Sequence, residues 1–407
     1  MWSRSRLREG TFYVLVRAAA VVAVVGVTVA DSRAQETRAE QIAAKQREKA
    51  QNLKPYEPSR FERVMARLEE NLASPPSGFF PAFGGVYPGG GFTPGVGYRW
   101  FYGRNAVWDI VGLYSIKNYK RIEVGTRTPW HGSARWMFGT RAGWFDAPQV
   151  GFFGVGMEQP LPRTNFLLEQ AYGAVTAAVR PTTWTLLQGE AAYEEYRTEE
   201  GRGRHPSIET VYTPATAPGL FSSPSFIRTE ATAAIDWRTS PGYSRKGGYY
   251  GVTLANFADR DDTYSFRRLD GEIIQHLPLL RENWVISVRG RVQTVLDDDD
   301  NVPYFLLPQL GSGRTLRGYQ TGRFRDRHSI LTSAEFRWIP SRLALDMAVF
   351  YDAGKVTRRR SELDFEDLES DWGIGARFHG PSATVLRLEA ARGSDGWRLV
   401  VATSAAF

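Results

Sequence analysis

The histidines and cysteines that most often hold a metal or move a proton are few or absent in this chain. The five histidines, His131, His205, His276, His328 and His379, stand far apart, and none lies at metal-ligand spacing to another. There is no cysteine, which removes thiol catalysis, thiolate metal sites and disulfides. The run Asp297, Asp298, Asp299 and Asp300 offers carboxylate oxygens but not the spaced geometry of a Ca²⁺ loop, and reads as a solvated loop entrance. Glu194, Glu195, Glu199 and Glu200 read the same way. A Ser/His/acid set assembled across strands is the catalytic alternative, but the sequence brings no such set together. The expectation is a protein that is not an enzyme and carries no cofactor or metal.

The chemistry that is concentrated here is ionic recognition. Leu310-Gly311-Ser312-Gly313-Arg314-Thr315-Leu316-Arg317-Gly318-Tyr319, followed by Gly322-Arg323-Phe324-Arg325-Asp326, forms one long loop between two strand-like runs. Arg317 presents a planar fork that pairs bidentately with carboxylates. Gly318 beside it has no Cβ and lets a loop backbone approach a wall closely. The runs that follow carry Glu335 and Asp352, both on the polar side of a strict alternation. Arg317 is therefore expected to meet two carboxylates, in a wet lumen where breaking the pair costs well below the roughly 3–5 kcal/mol of a dry one. An ordinary solvated arginine in an outer loop is the alternative.

The elements that must position these groups are strands. From about Gly89 to Phe407 the sequence falls into runs rich in aromatic and β-branched residues, separated by turn chemistry: 91–102, 106–117, 120–128, 134–146, 149–157, 165–180, 183–197, 225–238, 248–258, 263–276, 282–296, 328–338, 342–353, 370–380, 383–392 and 396–407. In the eleventh of these sixteen runs Trp284, Ile286, Val288 and Val292 alternate with Ser287, Arg289, Arg291 and Gln293. In the twelfth Ile330, Ala334, Phe336 and Trp338 alternate with Ser333, Glu335 and Arg337. In the thirteenth Leu343, Leu345, Met347, Val349 and Tyr351 face one way and Asp346, Phe350 and Asp352 the other. In the fourteenth Trp372, Ile374 and Phe378 alternate with Gly373, Gly375 and Arg377. One face is apolar and the other charged, but alternation alone cannot separate a membrane barrel from a soluble one. Loop lengths can. The longest connections, 198–224, 298–327 and 354–369, all follow odd-numbered runs, while Pro181-Thr182, Ile339-Pro340-Ser341 and Pro381-Ser382 close even-numbered ones. Short turns at one end and long loops at the other is the outer-membrane pattern. The 13% aromatic content and 40 glycines suit interfacial girdles and a sheet that bends to close.

The N-terminus adds a second argument. Arg4, Arg6 and Arg8 precede an apolar run from Ala18 to Ala30 and then Ser32-Arg33-Ala34, the layout of a cleaved export signal over 1–34. The apolar run falls short of the roughly 20 residues that an anchor helix needs. Residues 1–34 carry a net +3 of the chain's formal +7, which leaves +4, too little to imply a nucleic-acid partner. Residues 35–78 read as a periplasmic helical segment and linker before a barrel over 79–407. Within that segment Phe61, Val64, Met65, Leu68 and Leu72 form an apolar stripe that needs a surface, expected in or beneath the barrel mouth. Ser74-Pro75-Pro76 ends it.

Leu316-Arg317-Gly318-Tyr319 resembles the aliphatic-Arg-Gly-aromatic signature of the long inward-folded loop in the BamA/TamA superfamily of outer-membrane proteins. Ala334-Glu335-Phe336-Arg337 and Phe350-Tyr351-Asp352-Ala353-Gly354 stand where that family has its companion motifs, and the terminal Phe407 resembles the signal that marks such proteins for insertion. Phe407 is expected on one face of the last strand with Trp397, Leu399 and Val401. The resemblance covers about 80–407 and implies a seam between first and last strands that opens sideways. Gly90, Gly91, Pro94, Gly95 and Gly97 in the first run weaken that strand independently. The family's periplasmic POTRA modules have no counterpart in the segment read as periplasmic, so its client-receiving activity does not carry over directly. The whole reading is an all-β transmembrane barrel of about sixteen strands in a Gram-negative outer membrane, monomeric and in contact with outer-membrane lipid. Insertion or transport of polypeptide or lipid is its leading function. A passive pore, or an anchor recruiting periplasmic proteins through residues 40–72, stand as alternatives.

Overall fold

The computed structural model describes residues 41–47, 58–73, 76–103, 105–130, 135–158, 162–280, 282–297, 301–340 and 344–407. The proposed export signal lies outside the described residues. Residues 41–47 are helical and belong to a unit separate from 58–407. In the second unit helix α1, Arg60–Ala73, starts on a reciprocal cap: Glu62 N donates to Ser59 Oγ at 3.1 Å and Ser59 N to Glu62 Oε2 at 2.6 Å. Among the described residues no helix is long and apolar enough to cross a membrane.

The rest is one antiparallel sheet of sixteen strands in chain order, a transmembrane β-barrel. Its strands are β1 (Gly78–Phe83), β2 (Pro94–Tyr102), β3 (Ala106–Tyr114), β4 (Lys120–Arg127), β5 (Trp136–Phe152), β6 (Thr164–Val179), β7 (Thr185–Glu200), β8 (Ser225–Asp236), β9 (Gly247–Asp259) and β10 (Phe266–Leu279). Then follow β11 (Trp284–Val295), β12 (His328–Trp338), β13 (Leu345–Thr357), β14 (Glu369–His379), β15 (Thr384–Gly393) and β16 (Gly396–Ala402). The period-2 reading of faces holds in β13, where Met347, Val349 and Tyr351 are exposed outward and Asp346, Phe350 and Asp352 are buried inside, while Leu343 lies outside the described residues. Ile330 departs from it, being buried.

Three sequence expectations are corrected. Runs 134–146 and 149–157 are one strand, β5, because the ladder shifts register between Ala147 and Val150 and absorbs Pro148 as a bulge instead of a break. The first strand is not 91–102 but β1, whose six residues hide behind Pro81. Its Phe80 lies opposite Gly97, where a Cβ would stand 2.2 Å from the Phe80 ring, so that glycine seats an aromatic and does not mark a weak edge. The last strand stops at Ala402. Phe407 leaves the face of Trp397, Leu399 and Val401 and turns into the lumen, its ring parallel to that of buried His276 at 6.4 Å and 5.9 Å from the Arg289 guanidinium.

Among the described residues β1 is laddered to β2 alone and β16 to β15 alone. Among the described residues no ladder joins the two edges. The lumen between them is occupied toward both ends, with a cavity lined by Glu272, Arg289, Arg291, Arg314 and Phe407 remaining between. Toward the long-loop end Phe152, Phe166, Phe226, Phe257 and Phe266 from the wall pack on Tyr304 and Phe305 of the loop after β11 and on Ile208 and Tyr212 of the loop after β7. At the short-turn end the β8–β9 turn reaches across: Tyr243 Oη donates to Asp346 Oδ2 at 2.7 Å, and Thr384 N donates to Gly242 O at 3.0 Å.

Candidate functional site

The loop after β11 descends inside the barrel, pinned by a two-residue ladder of Gln309–Leu310 with Phe324–Arg325. Leu316 and Tyr319 are fully buried with Leu310, Phe324, Leu331 and Val356, an apolar collar that fixes the loop just above its charged tip. Between them Arg317, only 1% exposed, meets three carboxylates. Its Nε and Nη2 donate to Asp352 Oδ2 and Oδ1 at 2.7 and 2.9 Å, a bidentate fork. Its Nη1 donates to Glu335 Oε2 at 3.1 Å and to Glu389 Oε1 at 3.2 Å. The guanidinium carbon lies over the Phe350 ring, 3.4 Å from its centroid, so the cation is covered on that side by an aromatic. Burial alone would weaken the Arg317 cation, but Asp352 and then Glu335 and Glu389 outweigh it and hold the proton more tightly than water would.

Gly318 and Tyr319 set the depth of insertion. A Cβ on Gly318 would lie 2.6 Å from Gly393 N and 2.7 Å from Asp371 Cβ, contacts with β15 and β14 that only glycine allows. The Tyr319 hydroxyl is 2.6 Å from Glu369 Oε2 and accepts from Ser394 N at 3.1 Å. Gly393 is the counterpart of Gly318, since a Cβ there would meet the Tyr319 ring at 2.7 Å.

The ionic cluster is wider than the sequence reading. Arg377 of β14 pairs with Glu335 and, at 3.0 Å, with Glu389. Arg387 of β15 donates to Glu389 Oε2 at 2.9 Å and to Gly313 O of the loop at 2.6 Å. Glu389, Arg377 and Arg387 thus brace the same loop. Their inward direction was legible from period 2, but their meeting depends on the β13–β14–β15 register. The lumen at this point is dry, not wet, because the loop itself excludes water. Glu194, read as solvated, is buried in the wall and accepts from Arg228 Nε at 2.9 Å, while Asp297 pairs with Arg267 at 2.8 Å. Among the described residues no cluster of His, Cys, Asp and Glu is placed to hold a metal ion.

The Omp85 superfamily domain matches residues 101–392, most of the barrel together with the inserted loop. The chain belongs to the Omp85 superfamily. Its sheet is similar to that of BamA from Haemophilus ducreyi lacking POTRA domains 1–3, at TM-score 0.57 and 12% identity over 80% of this chain and 69% of that one. A second likeness is to CdiB from Acinetobacter baumannii, at TM-score 0.47 and 10% identity over 76% of this chain and 56% of that one. No curated protein matches the sequence. An Omp85 barrel resides in the outer membrane of Gram-negative bacteria, and the outward apolar faces of β11 to β14 fit that solvent.

Proposed function

We propose that this Omp85 protein inserts or transports polypeptide or lipid through its wall, at the β1/β16 seam, and not through its lumen. The observation that carries the reading is the pairing of an unzipped seam with an occupied lumen. β1 is short, has no N–H at Pro81 and leaves its outer edge without a ladder. The lumen is packed with aromatic side chains toward the long-loop end and crossed at the short-turn end by Tyr243. A passive pore needs the reverse, a continuous ladder around an open lumen. In this reading the Arg317 cluster keeps the loop seated, so that the plug stays in place while the seam works.

The absence of native cysteines makes the test simple. Pairs of cysteines, one in Gly78–Phe83 and one in Gly396–Ala402, are introduced into the full chain in proteoliposomes. Lipid scrambling and assembly of an outer-membrane client are then followed with the seam oxidised and reduced. Oxidation is expected to abolish at least one activity and a reductant to restore it. Activity equal in both states, or a large steady conductance from the unmodified barrel, would overturn the proposal.

A further inference from the structure

Helix α1 docks on the barrel by one face and leaves another bare. The docked face runs through Met65, Ala66 and Glu69, which are less exposed than their neighbours. Glu69 accepts from Ser382 N at 3.0 and 3.1 Å, and a Cβ at Gly380 would collide with its carboxylate, so the helix caps the β14–β15 turn. Phe61, Val64 and Leu68 lie about a third of a turn away at 100° per residue. They remain 40%, 49% and 40% exposed. A further third of a turn on, Arg60, Arg63 and Arg67 make a cationic stripe.

The direction of the apolar stripe is fixed by Phe61, whose ring meets that of Phe378 edge-on at 6.2 Å. Phe378 shares the outward face of β14 with Trp372 and Ile374, the face turned to lipid. The helix also touches β1, where Phe79 points outward and is 81% exposed. The stripe therefore continues the lipid-facing surface past the end of the strands, at the short-turn rim and beside the seam. An apolar face flanked by arginines is the pattern of a helix lying in a membrane interface, with its cations at the phosphates.

We propose that α1 is embedded in the periplasmic leaflet of the outer membrane, with Phe61, Val64 and Leu68 among the acyl chains and Arg60, Arg63 and Arg67 on anionic phospholipid headgroups. The proposal rests on the barrel reading alone and stands or falls apart from transport through the wall.

The test uses the full-length protein in vesicles of phosphatidylethanolamine and phosphatidylglycerol, with heat-modifiable migration on gels as the check that each variant is folded. A single Val64→Cys carries an environment-sensitive fluorophore, and Glu70→Cys, a third of a turn away beside Arg63, is its comparator. The label at 64 is expected to emit further to the blue and to be quenched several-fold more by lipids brominated on their acyl chains. Replacing Arg60, Arg63 and Arg67 by Gln should lower that quenching, as should omitting phosphatidylglycerol. A water-like, unquenched label at 64 would overturn the proposal. So would a blue-shifted but unquenched one, which would mean that protein covers the stripe. Full quenching in the arginine variant would remove the headgroup assignment.

Discussion

Arg317→Ala is expected to leave an inserted, heat-modifiable barrel whose inner loop is no longer held. The substitution removes the bidentate partner of Asp352 and one of the cations on Glu335 and Glu389. Arg377 and Arg387 still balance the two glutamates, so the uncompensated charge falls on Asp352, beside Asp371 in the ladder. Breaking a fully buried pair costs about 3–5 kcal/mol, and at 1% exposure no discount for solvent applies. Sixteen laddered strands absorb that, whereas the segment around Arg317, seated in the lumen by this cluster, is displaced by it. External protease should then cut within residues 310–326, and the barrel should conduct in bursts. Asp352→Ala should reproduce both effects, and the double variant should add little, because each change already breaks the one interaction. Arg317→Lys should resemble Ala more than the parent, since an ammonium cannot fork onto Asp352 while resting over the Phe350 ring. Strict additivity of the Arg317 and Asp352 changes would mean that the fork does not hold the loop.

Gly318→Ala is the second large effect, and it involves no charge. The added methyl would sit 2.6 Å from Gly393 N and 2.9 Å from the Arg392 carbonyl carbon, which are backbone atoms of a paired strand and cannot step aside. Overpacking of this kind costs about 1–3 kcal/mol. The loop is the softer partner, so it should rise as a unit and draw Arg317 off Asp352, giving the same protease pattern by a different cause. Gly271→Ala is the matched control, since a Cβ there meets nothing within 4 Å. Equal protection of the loop in the Gly318 and Gly271 variants would show that close approach to β15 does not set the depth of insertion.

Most of the strands, the inside and outside of β11 to β14, and the candidate loop were legible in the sequence. The physical reason is that a barrel wall one strand thick gives each residue two environments only, and a period of two reads them directly. The inward direction of Glu335, Asp352 and Phe350 needed nothing more. What the sequence could not supply was everything set by register or by loop path. Pro148 looked like a break because a bulge is defined by the partner strand, and β1 was not recognised as a strand because its pairing with β2 lies in the fold. Glu389, Arg377 and Arg387 join the cluster only because β13, β14 and β15 are aligned to within one residue. The dryness of the Arg317 site arises from the loop filling the lumen, and the inward turn of Phe407 from a ring and a guanidinium on β10 and β11, more than a hundred residues away in sequence. Period and composition are local properties, whereas burial of a charge depends on what the remainder of the chain packs over it.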